Sequence, residues 1–187
     1  MIRYRYRRNK MAFGTGPWKE GRYGAVSLCY HDLPAELLEA VVAHHAAVGI
    51  RATLAGGGAA AVMDLLAQRN WDLPARDALV QRVTFPIPTA TYQLGINPGT
   101  MLPPPAPLPA ELPSLPVPSD GNAMQALIES VVAQQQWVIV RMDGPALTAL
   151  GLPAHQALMK WLGTHHARIW CAPVRDIGQF CRAATRA

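Results

Sequence analysis

Between Met101 and Ser119 the chain reads MLPPPAPLPAELPSLPVPS, which places eight of its 17 prolines within sixteen residues. Each proline fixes φ and removes a backbone donor, so neither a helix nor a central strand can run through this stretch. The segment is expected to be an extended, polyproline-like strap over the surface. A ligand for a proline-reading partner domain is the less economical alternative. Whatever core the chain builds must therefore come from its two flanks, residues 18–100 and 120–187.

Those flanks alternate strand and helix. Ala25–Cys29 is a short apolar strand ending at Tyr30-His31-Asp32, and Pro34 suits the first turn of a helix that Asp32 or a neighbour can cap. Leu37, Leu38, Val41, Val42, His45 and Val48 follow helical spacing, and Gly49 supplies the left-handed stop. Ile50–Leu54 is the next strand, and Gly56-Gly57-Gly58 leads into a helix over Ala59–Gln68. Trp71–Leu73 is a weak strand, followed by a short helix from about Ala75 to Arg82 and a strand over Arg82–Ile87. Beyond the strap come a helix (Ala123–Gln135), a strand (Trp137–Arg141), a helix (Pro153–Gly163), a strand (Arg168–Ala172) and a closing helix (Val174–Thr185). Strands alternating with helices predict an α/β domain with a mainly parallel sheet, open or barrel-like. Residues 1–17 form a basic arm, and residues 18–187 form one domain interrupted by the strap at 101–119.

Composition narrows the class. Half the residues are apolar and 16% are charged, which excludes a disordered charged tail. No apolar run reaches the ~18 residues of a membrane span, and no apolar stretch follows the basic start as in a secretory signal. Three cysteines (Cys29, Cys171, Cys181) without a CxxC pair argue against a disulfide framework or a structural zinc site, so a cytoplasmic protein is expected. The net charge of +5 is concentrated in Arg3, Arg5, Arg7, Arg8 and Lys10, with Tyr4 and Tyr6 between them. This arm reads as a solvated terminus, with nucleic-acid or membrane-surface binding the lesser alternative.

In parallel sheets ligands gather at the C-terminal strand ends. There the chain carries His31 and Asp32 after the first strand, and Met142 and Asp143 after the Val138–Val140 strand. Arg76 and Asp77 follow Trp71. His31 and Asp32 are either a base and a metal ligand or a surface residue and a helix cap. His44-His45 and His165-His166 lack the i, i+4 spacing of a zinc helix, and one of each pair should face the core. The glycine run 56–58 reads as a turn or as an anion cradle, and Cys29 as a buried, inert thiol.

WKEGRYGAVSLCYHD (Trp18–Asp32) resembles the opening strand of the polysaccharide deacetylase (NodB-homology) family, which usually ends in Thr-Phe-Asp-Asp-Gly. LLEAVVAHHAAVGIRATL (Leu37–Leu54) is similar to the next unit, which commonly ends in Gly-Ile-x-Ala-Thr-Phe. RNWDLPARDALV (Arg69–Val80) resembles the stretch holding the family's His-x-x-x-His pair. WVIVRMDG and HQALMKWLGTHHARIWCAPVRDIGQFC resemble its last two units. The resemblance covers about Trp18–Leu79 and Ala123–Arg182. It implies a shortened, irregular (β/α) barrel-like fold and metal-assisted deacetylation, in which Asp-His-His hold the metal, a second Asp is the base and a His the acid.

Carried over by position, the base becomes His31 and the metal Asp is kept as Asp32. The two metal histidines fall near Arg76 and Val80, and the acid falls at Met142. Only Asp32 of the five is unchanged, too few for a zinc site, which takes about three protein ligands. The resemblance therefore implies a domain that has lost metal-dependent deacetylation and acts as a binding or regulatory module. Arg76, Trp71 and Met142 would line its cleft, and a partner protein or glycan-like ligand would occupy it. No cofactor is then expected. The alternative is an active hydrolase of C–N (non-peptide) or ester bonds in a carbohydrate-type substrate. Its rebuilt site would use His31, Asp32 and Asp143, with a divalent metal such as zinc. A shortened barrel also exposes strand edges, which a homodimer would cover.

Overall fold

A computed structural model describes residues 15–55, 60–73, 84–87, 90–94 and 98–185. In chain order the first elements are β1 (Gly24–His31), α1 (Ala35–Val48), β2 (Thr53–Leu54) and α2 (Ala60–Gln68). Then follow β3 (Thr84–Ile87), β4 (Ala90–Leu94), β5 (Glu111–Leu112), β6 (Leu115–Pro116) and α3 (Gly121–Ala133). The chain continues through β7 (Trp137–Asp143), α4 (Gly144–Leu150), α5 (Leu152–Thr164), β8 (Ile169–Cys171) and α6 (Val174–Ala184).

β1 is the centre of a parallel sheet ordered β2-β1-β7-β6. It pairs with β7 along its length, from Ala25↔Trp137 to His31↔Asp143. Its other edge is shared: β8 takes Gly24–Val26 and β2 takes Cys29 and Tyr30, both in parallel. The expected mainly parallel α/β architecture is thus present. A smaller sheet, β3-β4-β5, pairs β3 with β4 antiparallel and β4 with β5 in parallel.

Side chains alternate across β1, as strand geometry requires. Val26, Leu28 and Tyr30 enter the larger core, beneath α1, α3 and α5, with Leu38, Val41, Ile128, Leu158 and Met159. Burying each such side chain is worth about 1.5–3 kcal/mol. Ala25 and Cys29 face the opposite side, where Trp18, Trp137, Trp170, Val174 and Ile177 form a second core. Ser27 is the polar member of that row. It donates to the Ala172 carbonyl at 2.9 Å and accepts from Trp137 Nε1 at 3.1 Å.

The proline-rich strap is more than a surface connection. It is extended, as expected, but β5 and β6 knit it into both sheets, and Leu112 and Ser114 are fully buried. Met101 exchanges backbone hydrogen bonds with Trp137 at 2.8 and 2.9 Å. β6 takes an end position in its sheet, which is where proline is tolerated.

Other expectations need correction. Asp32 does not cap α1: the N-cap is Pro34, without any side-chain bond. Besides the strap's β5 and β6, β4 and α4 were not foreseen either. β4 follows β3 closely, and α4 begins at Gly144, with Asp143 as its N-cap and Pro145 in its first turn. Gly49 does end α1, at φ 68°. The basic arm through residue 14, the glycine run 56–58, and the expected helix carrying Arg76, Asp77 and Val80 lie outside the described residues.

Candidate functional site

The strand register brings two expected site residues side by side. His31 at the end of β1 is the direct partner of Asp143 on β7, and Asp32 follows immediately. Asp32 is exposed and has φ 44°, a left-handed conformation that aspartate tolerates better than most residues. Asp143 is already engaged: its carboxylate accepts the Ala146 N–H at 2.8 Å as the N-cap of α4. It thus satisfies one of the helix's orphan donors.

His31 sits above a buried thiol, with Nε2 3.5 Å from Cys29 Sγ. A cysteine and a histidine at this spacing suggest a nucleophilic pair, but their protonation states oppose it. Burial pushes the Cys29 thiol well above its usual value, and the carboxylate of Asp72 pushes it further. Burial lowers the His31 imidazole, as does the Arg141 guanidinium, against a weaker pull from Asp32 and Asp143. The pair is therefore neutral thiol and neutral imidazole, whereas nucleophilic attack needs the thiolate. Arg141 is half-buried and in register with Cys29.

The other expected site residues lie elsewhere. Met142 is fully buried in the helix-side core and Trp71 is almost so, which takes both away from the strand-end cleft they were expected to line. Arg76 is outside the described residues. Among the described residues no three His, Cys, Asp or Glu side chains converge as a metal set. Of the strand-end groups, His31 contacts a thiol and Asp143 caps a helix, which leaves Asp32 as the available carboxylate. This donor set does not fit the roughly three-ligand requirement of zinc.

A second polar cluster lies on the opposite face of the sheet and was not anticipated from sequence. Tyr30 projects from β1 between α1 and α5. Its hydroxyl is 2.8 Å from His45 Nε2 and 2.7 Å from His155 Nε2. His45 Nδ1 is 3.1 Å from the Ile50 carbonyl, and His44 Nδ1 is 2.9 Å from His155 Nδ1.

Counting hydrogens fixes the direction of every bond. The Ile50 carbonyl can only accept, so His45 donates from Nδ1 and accepts at Nε2. Tyr30 must then donate to His45 and accept from His155. His155 donates from Nε2, so its Nδ1 accepts from His44. With all three rings neutral, each group gives one hydrogen bond and none is orphaned. Burial pushes His45 down to about 3 and His155 to about 4, and the neighbouring histidines add to both shifts. The Trp71 ring packs against His45 with centroids 4.9 Å apart.

The expectation that one histidine of each pair faces the core holds for His44-His45, where His45 is buried. It fails for His165-His166, which lie at the end of α5 with neither buried. The signal for the cluster was present in part. His45 shares an apolar stripe with Leu38, Val41 and Val42, and His155 shares one with Leu158, Met159 and Leu162. Their meeting across Tyr30 is a tertiary fact that local spacing does not carry.

A third cluster anchors the last helix. α6 begins after Pro173, which has no side-chain oxygen to cap it. Thr53 Oγ1 instead accepts the Val174 N–H at 2.9 Å, and Asp72 Oδ2 accepts the Arg175 N–H at 3.1 Å. Arg51 reaches the same helix, pairing with Asp176 at 2.7 Å.

Comparison with known proteins adds no neighbour to these observations: no family model, curated protein or solved structure matches the chain.

Proposed function

We propose that this chain is a polysaccharide-deacetylase-like domain that has lost metal-dependent deacetylation and serves as a binding or regulatory module. The observation that carries this reading is the use made of the strand-end groups. Asp143 caps α4, His31 is a neutral ring over a neutral thiol, and the half-buried Arg141 cation stands beside them. A guanidinium at that place opposes a divalent cation. The cleft would receive a glycan-like ligand or a partner protein. The barrel-like closure of the sheet and the homodimer belong to the same proposal.

A rebuilt hydrolase is the second reading, and the His31↔Asp143 register favours it. One experiment separates the two. Untagged protein, purified without chelator, is analysed for divalent metal and assayed on 4-nitrophenyl acetate and an N-acetylated chitooligosaccharide, beside His31→Ala. The binding-module reading expects well under one metal per chain and no turnover above the His31→Ala background. Near-stoichiometric metal together with turnover that His31→Ala abolishes would replace it with the hydrolase.

A further inference from the structure

We infer that the chain His44–His155–Tyr30–His45 is an acid-sensitive lock between α1 and α5, closed while its imidazoles are neutral and opened by the second proton it takes up. The inference is independent of the strand-end site, which lies across the sheet.

The hydrogen count supplies the mechanism. One added proton is tolerated. His44, the outermost member, can carry it on Nε2 and still donate from Nδ1 to His155. A second proton has no such place. On His155 it would set an N–H against the N–H of His44 across 2.9 Å. On His45 it would set an N–H against the Tyr30 hydroxyl, which already receives one from His155. Tyr30 would then accept twice, and its own hydrogen would lose its acceptor. Either position costs a buried hydrogen bond and adds a buried charge.

Among the described residues no carboxylate is one of the groups acting on His44, His45 or His155, so that charge meets no counter-ion there. From α1, which also carries Glu36 and Glu39, the titratable groups that act on the lock are the two histidines themselves. From α5 they are His155 and Lys160, whose ammonium disfavours a proton on His44. From the sheet they are Tyr30, Cys29 and Cys171, all held neutral by burial. A cavity of about 360 Å³ outside His45 and Trp71 is bordered by Arg51 and Arg69. The carboxylate next to Trp71, Asp72, is turned away towards α6.

The geometry also places the consequence. All four side chains belong to α1, α5 and β1, and the backbone pairing of β1 to β7 involves none of them. Opening should therefore begin between the helices. The test is a pH series from 7.5 to 4.5 on the full chain, combining ¹⁵N-histidine NMR with amide hydrogen exchange. At pH 7.5 His45 should show the Nδ1–H tautomer and His155 the Nε2–H tautomer. On acidification, protection in α1 and α5 should fall ahead of β1 and β7, by about tenfold per pH unit for each proton taken up.

His155→Leu should reduce that pH dependence by about one proton. If this variant does not fold, the wild-type spectra and exchange still decide. Protonated His45 or His155 within a fully protected fold would overturn the inference. So would uniform loss of protection in helices and strands alike, or protection that does not change down to pH 4.5.

Discussion

Cys29 and His31 stand two residues apart on one strand, so their side chains leave the same face and meet. What separates this contact from a catalytic pair is burial. A thiolate needs solvent or a cation to hold its charge. Cys29 is fully buried, with Asp72 disfavouring its anion more than Arg141 favours it. Cys29 should therefore resist iodoacetamide at pH 8 in the folded chain and react readily in urea, as peptide mass spectrometry would record. Rapid alkylation of the native protein would mean that the thiol is exposed and activated, and would reopen a nucleophilic role. The same register explains why residue chemistry alone misjudged Met142. It lies one position from Asp143, and alternation on β7 sends it to the helix side.

Among elements, α6 shows how a helix can be capped from a distance. Its own N-cap is a proline, so two donors of its first turn depend on Thr53 and Asp72, about a hundred residues away in sequence. Asp72→Ala would leave a backbone N–H without an acceptor in a part-buried setting, at a cost of about 1–3 kcal/mol. Asp72→Asn keeps an oxygen there and should lose less. Urea unfolding of both variants would show the ranking, and equal losses would discount the cap. This arrangement also marks the limit of reading elements from sequence. β1, α1, α3, β7, α5 and α6 were legible to within about two residues, because their apolar spacing is regular and Gly49 or Pro34 marks an end. β2 is shorter than expected, and Trp71–Leu73 contributes only the bridge from Asp72 to Thr53. In both places the pairing is decided by neighbours rather than by local propensity. α4 was missed although Asp143 followed by Gly144-Pro145 is a helix-start signal. That His31 and Asp143 stand at strand ends was legible because each follows a short apolar strand. The Tyr30 cluster was not, because its members are separated by 15 and 125 residues.

For the molecule as a whole, two buried neutral histidines set a direction for acid stability. His45 and His155 bind protons near pH 6.5 when unfolded but only near pH 3 and 4 when folded. Below pH 6.5 the unfolded chain therefore holds more protons, and the fold loses stability as the pH falls towards 4. Each group contributes a slope of up to about 1.4 kcal/mol per pH unit, and none above pH 7.5. Urea midpoints measured between pH 8 and 5 should stay level at first and then drop. A midpoint that stays level to pH 5 would contradict the buried neutral state. The layout of the sheet bears on how such a chain is made. β1 and its long neighbour β7 lie some 110 residues apart, as the Ser27–Trp137 contact measures. During synthesis β1 emerges first and must wait for most of the chain before that edge is filled. Until then a ribosome carries an apolar strand with an open side, the kind of surface that holding chaperones bind. For this protein the hazardous interval is set by the distance between two strands, and lengthening the strap would prolong it.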